Sequence, residues 1–396
     1  MIYLVYILLF FSGLGFKSFY GFALPLYYLL LVIISTNIVL VIAVNKRLDW
    51  LSSYLKYSIW LVFPLFFLPF AENFTKHVYT LIIIALSILV AVFINKRNYT
   101  NIGESRNFDN FIKIWAIVNL VLFFLYLFGI NFGAGVDFSG VADNRNFLAT
   151  TTCLLLAIKL FFVKNEKYSD WISIFSLVII IIATASSKGL VGLSIIFFIY
   201  LTFHIGILKI KINYLLYGIF AVSLMTFMIF YFDSIFIESA ARLLAKFGVF
   251  GLFDVDPRLE ELAVLSQQER ENLLQQSLEL ISHNYLYGLG FGGSELYLEA
   301  NNKMVYSHIN YIELILTSGI LVVPIYYFHH YFIILNSALF VLHSKRVELI
   351  SVCTILLLLL LFDTAMVSYT NLIFWVVLIS VSEYAYCVFR GELSEE

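Results

Sequence analysis

Twelve apolar runs, most of them close to the ~20 residues a helix needs to cross a bilayer, divide this chain, and short polar connections carry most of its charge. They lie at about 2–16, 22–44, 54–70, 76–94, 111–130, 146–163, 171–185, 188–205, 212–232, 309–335, 347–363 and 368–388. Only 13% of the residues are charged and 62% are hydrophobic, whereas ordinary globular domains are about 25% charged. A soluble globular fold is excluded. The expected fold class is all-α: a polytopic integral membrane protein with about twelve transmembrane helices. The apolar start from Ile2 onward has no basic leader and no small-residue cleavage site, so it reads as a first span and not as a removable signal peptide.

Lysine and arginine in the short connections set the orientation. With a cytoplasmic N-terminus the inner side collects fifteen of them, from Lys46 to Arg390, and the outer side four, namely Lys17, Lys76, Arg145 and Lys188. Both termini are then cytoplasmic, and the one long connection, residues 233–307 between spans 9 and 10, is extracytoplasmic. The chain reads as spans 1–9 in residues 1–232, the loop in 233–307, and spans 10–12 with a short cytoplasmic tail in 308–396. The loop carries eleven Asp or Glu against five Lys or Arg. Asp256-Pro257 reads as an N-cap and first helical residue, and Ser266 with Glu269 as a capping box opening a second helix. Leu274, Leu278 and Ile281 recur at helical spacing, as expected of an amphipathic helix lying on the membrane face. The run Gly288-Leu-Gly-Phe-Gly-Gly293 is expected to end the helix in a flexible turn.

A net charge of −2 and the lack of any basic stripe give no reason to expect nucleic acid as a partner. Cys153, Cys353 and Cys387 fall in or beside apolar runs, which leaves no disulfide framework and no cysteine-rich zinc site. No metal-ligand cluster and no nucleophile elbow appear, so neither a metal nor a cofactor is expected.

The scarce outer charges are the candidate site. His308 sits where the long loop re-enters the membrane, at a helix start in contact with water, a position suited to a group that takes a proton near neutral pH. Arg270, on the loop helix, offers a guanidinium fork that matches phosphate oxygens, and Arg258 on the preceding helix has the same property. Lys188 lies between two apolar runs with almost no loop around it, where an ionisable group is costly. Arg145 is a further outer cation at the start of the sixth span. Glu313 and Asp363 are acidic groups at outer helix ends, each also explicable as a simple cap or turn residue. Taken singly, each cation also fits an ordinary solvated or snorkelling side chain. Their convergence on one face describes an anion site beside a proton acceptor.

These residues resemble the O-antigen polymerase and O-antigen ligase superfamily, the Wzy-type and WaaL-type membrane glycosyltransferases. Arg270, Gly288-Leu-Gly290, His308, Tyr311, Glu313 and Gly319-Ile-Leu321 follow the order and spacing of that family's signature. Ser187-Lys-Gly189 looks like its Ser-Arg-Gly turn, and Asn146 with Leu148-Ala149 like its Asn-x-Leu-Ala span start. The likeness covers roughly residues 140–325. The chain departs from the pattern at Ile309, Lys188, Leu274 and Tyr285. Lysine at 188 keeps the charge but loses the bidentate fork, which tilts the reading toward polymerase over ligase.

The resemblance implies transfer of an undecaprenyl-pyrophosphate-linked oligosaccharide on the outer face of the bacterial inner membrane, without cofactor or metal. It implies roles for His308 as the base on the acceptor hydroxyl and for Arg270, Lys188 and Arg145 on the pyrophosphate. Glu313, Tyr311, Arg258 and Asn146 would be supporting residues. The implied partners are the lipid-linked repeat units, the bilayer, and a chain-length regulator and flippase of the same pathway. Two other readings compete: a ligase that moves the finished glycan to lipid A core, and a polysaccharide flippase.

Overall fold

The structure, a computed structural model, describes residues 23–45, 48–97, 106–129, 138, 140, 145–163, 167–184, 186–205, 257–300, 303–304, 309–344, 348–364 and 367–390. The expected first and ninth spans and His308 lie outside these residues, and Arg258 and Arg270 are described by their backbone alone. Five described helices are long and apolar enough to cross a membrane, and four shorter ones are equally apolar. The chain is a multi-pass membrane protein built of helices. The only strands among the described residues are two-residue pieces, β1 (Glu299–Ala300) and β2 (Lys303–Met304), paired antiparallel.

The chain forms two compact units. The described helices of the first are α1 (Ala23–Asn45), α2 (Leu48–Ser58), α3 (Val62–Phe66) and α4 (Phe74–Arg97). The second holds α5 (Arg106–Leu127), α6 (Arg145–Phe162), α7 (Tyr168–Ala183) and α8 (Ser187–Ile199). The loop helix α9 (Pro257–Asn284) joins the first unit from Gln267 onward. That unit is completed by α10 (Asn310–Ser318), α11 (Val322–Ser344), α12 (Glu348–Asp363) and α13 (Leu372–Phe389).

Three expectations are corrected. The capping box at Ser266 does not open a second helix: α9 runs unbroken through it for 28 residues. Nothing between Pro257 and Asn284 is a glycine or an internal proline, and a local side-chain cap cannot compete with a continuous ladder of good helix formers. Arg270 therefore sits near the middle of a helix, not at its first turn, and feels no terminal dipole. The face of α9 set against the protein is also one residue out of step with the expected one. Leu273 and Ser277 are buried, with Leu280 and Ile281 beside them, while Leu274 and Leu278 are exposed.

Nor are the expected spans at 54–70 and 309–335 continuous helices. The first breaks into α2, a 3-10 turn at Ile59–Leu61, α3 and a second 3-10 turn at Leu68–Phe70. Pro64 and Pro69 supply no N–H there, so the regular ladder cannot hold. The second breaks at Gly319 into α10 and α11. Gly319 adopts φ +81°, ψ 166°, a region that only glycine enters without strain.

In the second unit α6 is central, with every residue from Leu148 to Leu160 buried. Lys159 is wholly buried, and its charge is met by Asp109 and by Asp170 at 3.0 Å. Lys113 bonds the same two carboxylates at 2.6 Å each. Two lysines and two aspartates thus form a neutral quartet, the arrangement a buried charge requires. In the first unit α13 is buried along most of its length, and Trp60 packs against Tyr326, Tyr369 and Trp375 with ring centroids 5.0–6.4 Å away.

Candidate functional site

In the second unit the starts of α6 and α8 meet. Ser186, the N-cap of α8, accepts from Gly189 N–H, and its hydroxyl donates to Asn146 Oδ1 at 2.8 Å. Asn146 is thereby a tie between two helix N-termini. Gly189 lies against α6 closely enough that a Cβ would stand 2.8 Å from that of Ala149, and Cys153 Sγ donates to Gly189 O at 3.3 Å. Arg145 begins α6 and Lys188 is the second residue of α8. Each helix N-terminus carries about half a positive charge in unpaired N–H groups. This end of the unit therefore holds two partly exposed side-chain cations and two helix N-termini. The intervening α7 closes its own last turn, with Thr184 N–H donating to Ile180 O at 3.1 Å and Thr184 Oγ1 to Ile181 O at 2.6 Å. Helix N-termini beside cations are a combination that favours negative charge in general.

In the first unit the glycine run that follows α9 is a buried, hydrogen-bonded structure and not the flexible turn expected. The last carbonyls of α10, which no helical partner can satisfy, accept from it: Leu289 N–H donates to Leu316 O at 2.6 Å and Gly290 N–H to Thr317 O at 3.0 Å. Ile320 N–H returns a bond to Tyr285 O at 2.8 Å. A Cβ at Gly319 would stand 2.0 Å from Leu286 O, inside any van der Waals contact. The break between α10 and α11 is thus sealed by backbone pairing, as irregular backbone at membrane depth demands.

His77, on α4, locks the loop from the other side. Phe291 N–H donates to His77 Nδ1 at 2.7 Å, so that nitrogen carries no proton. The proton is on Nε2, which donates to Pro64 O at 3.0 Å. The imidazole is buried and stacks on Phe291 with centroids 5.2 Å apart. Lys76 pairs with Glu295, and Glu72 N–H donates to Leu289 O at 2.9 Å. The start of α4 and the loop therefore share one end of this unit.

At the start of α10, Glu313 is buried and accepts from Ser294 Oγ at 3.0 Å. Its carboxylate ties the helix to the loop. Tyr311 stacks on Tyr327 at 4.4 Å. Asn310 is fully buried and bonded on both sides of its amide. Its Nδ2 donates to Tyr327 OH at 2.8 Å and to Asp363 Oδ2 at 3.3 Å, and its Oδ1 accepts from Ser368 N–H at 3.0 Å. His77 and Asn310 carry no local sequence signal, because their partners lie 214 and up to 58 residues away.

Of the residues the sequence singles out, Lys188, Arg145 and Asn146 are gathered at one end of the second unit. Glu313 and Tyr311 are held at the start of α10, and Arg258 and Arg270 lie on the backbone of α9. Among the described residues no group of three His, Cys, Asp or Glu is placed to hold a metal ion.

No curated protein matches the chain. Residues 172–327 match the family model Wzy_C, described as O-Antigen ligase. The matched stretch contains Lys188, Arg258, Arg270, the glycine loop, His308, Tyr311 and Glu313, and ends at Tyr327; Arg145 and Asn146 precede it. Over that stretch the chain is similar to the Wzy_C family, which Wzy polymerases and WaaL ligases share.

Proposed function

We propose that this protein is a polymerase of O-antigen or a related surface polysaccharide, joining undecaprenyl-pyrophosphate-linked repeat units on the outer face of the bacterial inner membrane. The observation that carries the reading is the family match across the segment that contains Lys188, Arg270 and His308. Pyrophosphate is an activated leaving group, so the chemistry asks the protein for two things. Cations must stabilise the charge that develops on the departing pyrophosphate, and a base must take the acceptor's proton.

In this reading Arg270 and Lys188 neutralise the pyrophosphate, with Arg145 as a third cation. His308 removes the proton from a sugar hydroxyl of the acceptor. That oxygen attacks the anomeric carbon of the growing chain, the bond to the pyrophosphate oxygen breaks, and undecaprenyl pyrophosphate leaves with the electron pair. A single displacement inverts the anomeric centre. Asn146 supports the cations by tying the two helix starts that bear them. Glu313 supports the base by fixing the start of α10 to the glycine loop, and Tyr311 does so through its stack on Tyr327.

The family's description as O-antigen ligase favours a second reading, the ligase, which uses the same donor and moves the glycan to lipid A core. Lysine rather than arginine at 188 supports the polymerase. Deletion of the gene separates the readings on a lipopolysaccharide gel. Loss of a polymerase leaves core carrying a single repeat unit, loss of a ligase leaves bare core, and restoration of full ladders by His308→Ala and Arg270→Ala together would fit a flippase and sink both. The expected result is single-repeat core, with neither alanine variant restoring long chains and Arg270→Lys recovering little.

A further inference from the structure

From Gln267 onward the loop helix α9 belongs to the first unit, and its circumference there divides into three sectors. Leu273 and Ser277 are buried against the protein. Leu274 and Leu278 each follow a buried residue by one position, which turns the side chain by about 100° around the axis, and both are exposed. Beyond them Glu271, Gln275, Glu279 and Ser282 form an exposed polar sector. Ile281, packed at the edge of the Leu273 cluster, joins the first two sectors into one apolar arc. That arc is wider than the protein covers. A helix with water on its whole free side carries polar residues there; one whose apolar arc overruns its protein contact and then gives way to charge has the sidedness of a helix lying in a membrane–water interface.

The exposed apolar sector continues past the helix. Tyr285, Leu286 and Tyr287 follow it and are all exposed. The Tyr287 ring stacks on Phe70 with centroids 5.3 Å apart and meets Phe67 at 5.4 Å. Phe70 in turn ends a row that runs along the broken span as Leu55, Ile59, Val62 and Phe66, every one of them exposed. Those positions recur at helical spacing. In a multi-pass membrane protein, an apolar row left open along such a segment is the side that meets lipid, and tyrosine collects where that side reaches the headgroups. The surface of α9 is therefore continuous with a lipid-facing one.

We propose that Leu274, Leu278, Tyr285 and Tyr287 form a membrane-docking surface whose partner is phospholipid at the boundary of headgroups and acyl chains. The helix lies along the interface, with these side chains dipped about 5–10 Å into it and Glu271, Gln275 and Glu279 toward water. Lipid phosphates lie at that level, so the seat sets α9 at the depth of the pyrophosphate of a lipid-linked substrate. It depends on the faces of α9 alone and holds for polymerase and ligase alike.

The test uses the full-length protein in phosphatidylcholine–phosphatidylglycerol nanodiscs. Cys153 is buried, so Cys353→Ser and Cys387→Ser provide a background for single nitroxide labels at Leu274→Cys, Leu278→Cys, Glu279→Cys and His283→Cys. Labels at 274 and 278 are expected to relax several-fold more with oxygen, which concentrates in lipid, than with a water-soluble nickel chelate. Those at 279 and 283 should show the reverse. The wild-type protein in liposomes of the same lipids, treated with a carbene precursor dissolved in the bilayer, provides a second readout that needs no variant. Mass spectrometry is expected to find insertions at Leu274, Leu278 and Tyr285 and none at Glu279. Nickel reaching 278 as freely as 279 would mean a solvated face, and shielding of 278 from both relaxants would mean a protein contact. Either result, or a wild-type α9 that takes up no carbene, overturns the proposal while leaving the proposed reaction untouched.

Discussion

The cation-bearing end of the second unit and the glycine-loop lock of the first solve the same problem, holding helix ends in place, by different means. At the cation end the ties run between side chains of neighbouring helix starts, Ser186 to Asn146, with small residues Gly189 and Ala149 letting the helices approach. At the lock the ties are backbone to backbone, Leu289 and Gly290 to the last carbonyls of α10, with one buried imidazole bridging Phe291 and Pro64. The first arrangement ties two helix starts through one side-chain bond. The second leaves almost no room for movement, which suits a frame for a group that must be aimed.

That contrast predicts a graded response to single substitutions, each read by thermal unfolding in detergent micelles. Gly319→Ala should cost the most, about 4 kcal/mol, because the side chain meets both a glycine-only conformation and a carbonyl oxygen that belongs to the backbone. His77→Ala comes next, at about 2–3 kcal/mol, since it orphans a buried N–H and a buried carbonyl together. Gly189→Ala should cost about 2 kcal/mol, because its Cβ would stand 2.8 Å from that of Ala149, which moves only with the α6 backbone, although without the positive φ of Gly319. Ser186→Ala removes a cap and one tie and should cost about 1 kcal/mol. A Gly189→Ala variant less stable than Gly319→Ala would reverse the ranking and with it the distinction between the two ends.

Hydropathy carried much of the architecture, since most expected runs among the described residues are apolar helices. It did not carry the breaks. At Gly319 the nine-residue α10 and the start of α11 are both apolar, so a composition window sees one run; the interruption is visible only in the backbone bonds that seal it. At Ser266 the error ran the other way, because a capping-box pattern with no breaker before it stays inside a longer helix. Lys188, Asn146 and Glu313 were legible from motif spacing. His77 and Asn310 act through partners brought close by folding, and nothing in their neighbouring residues announces them; Asp363 stood out as an acidic group at a helix end, but its partners Asn310 and Tyr327 did not.

The central claim is lipid-linked glycan transfer that depends on His308 and Arg270. Its most direct test is the purified protein in nanodiscs, given undecaprenyl-pyrophosphate repeat units with no nucleotide sugar and no lipid A core. The account predicts a ladder of lipid-linked products of increasing length, absent from His308→Ala and Arg270→Ala. No extension by the wild-type protein, or an equal ladder from either variant, would contradict it.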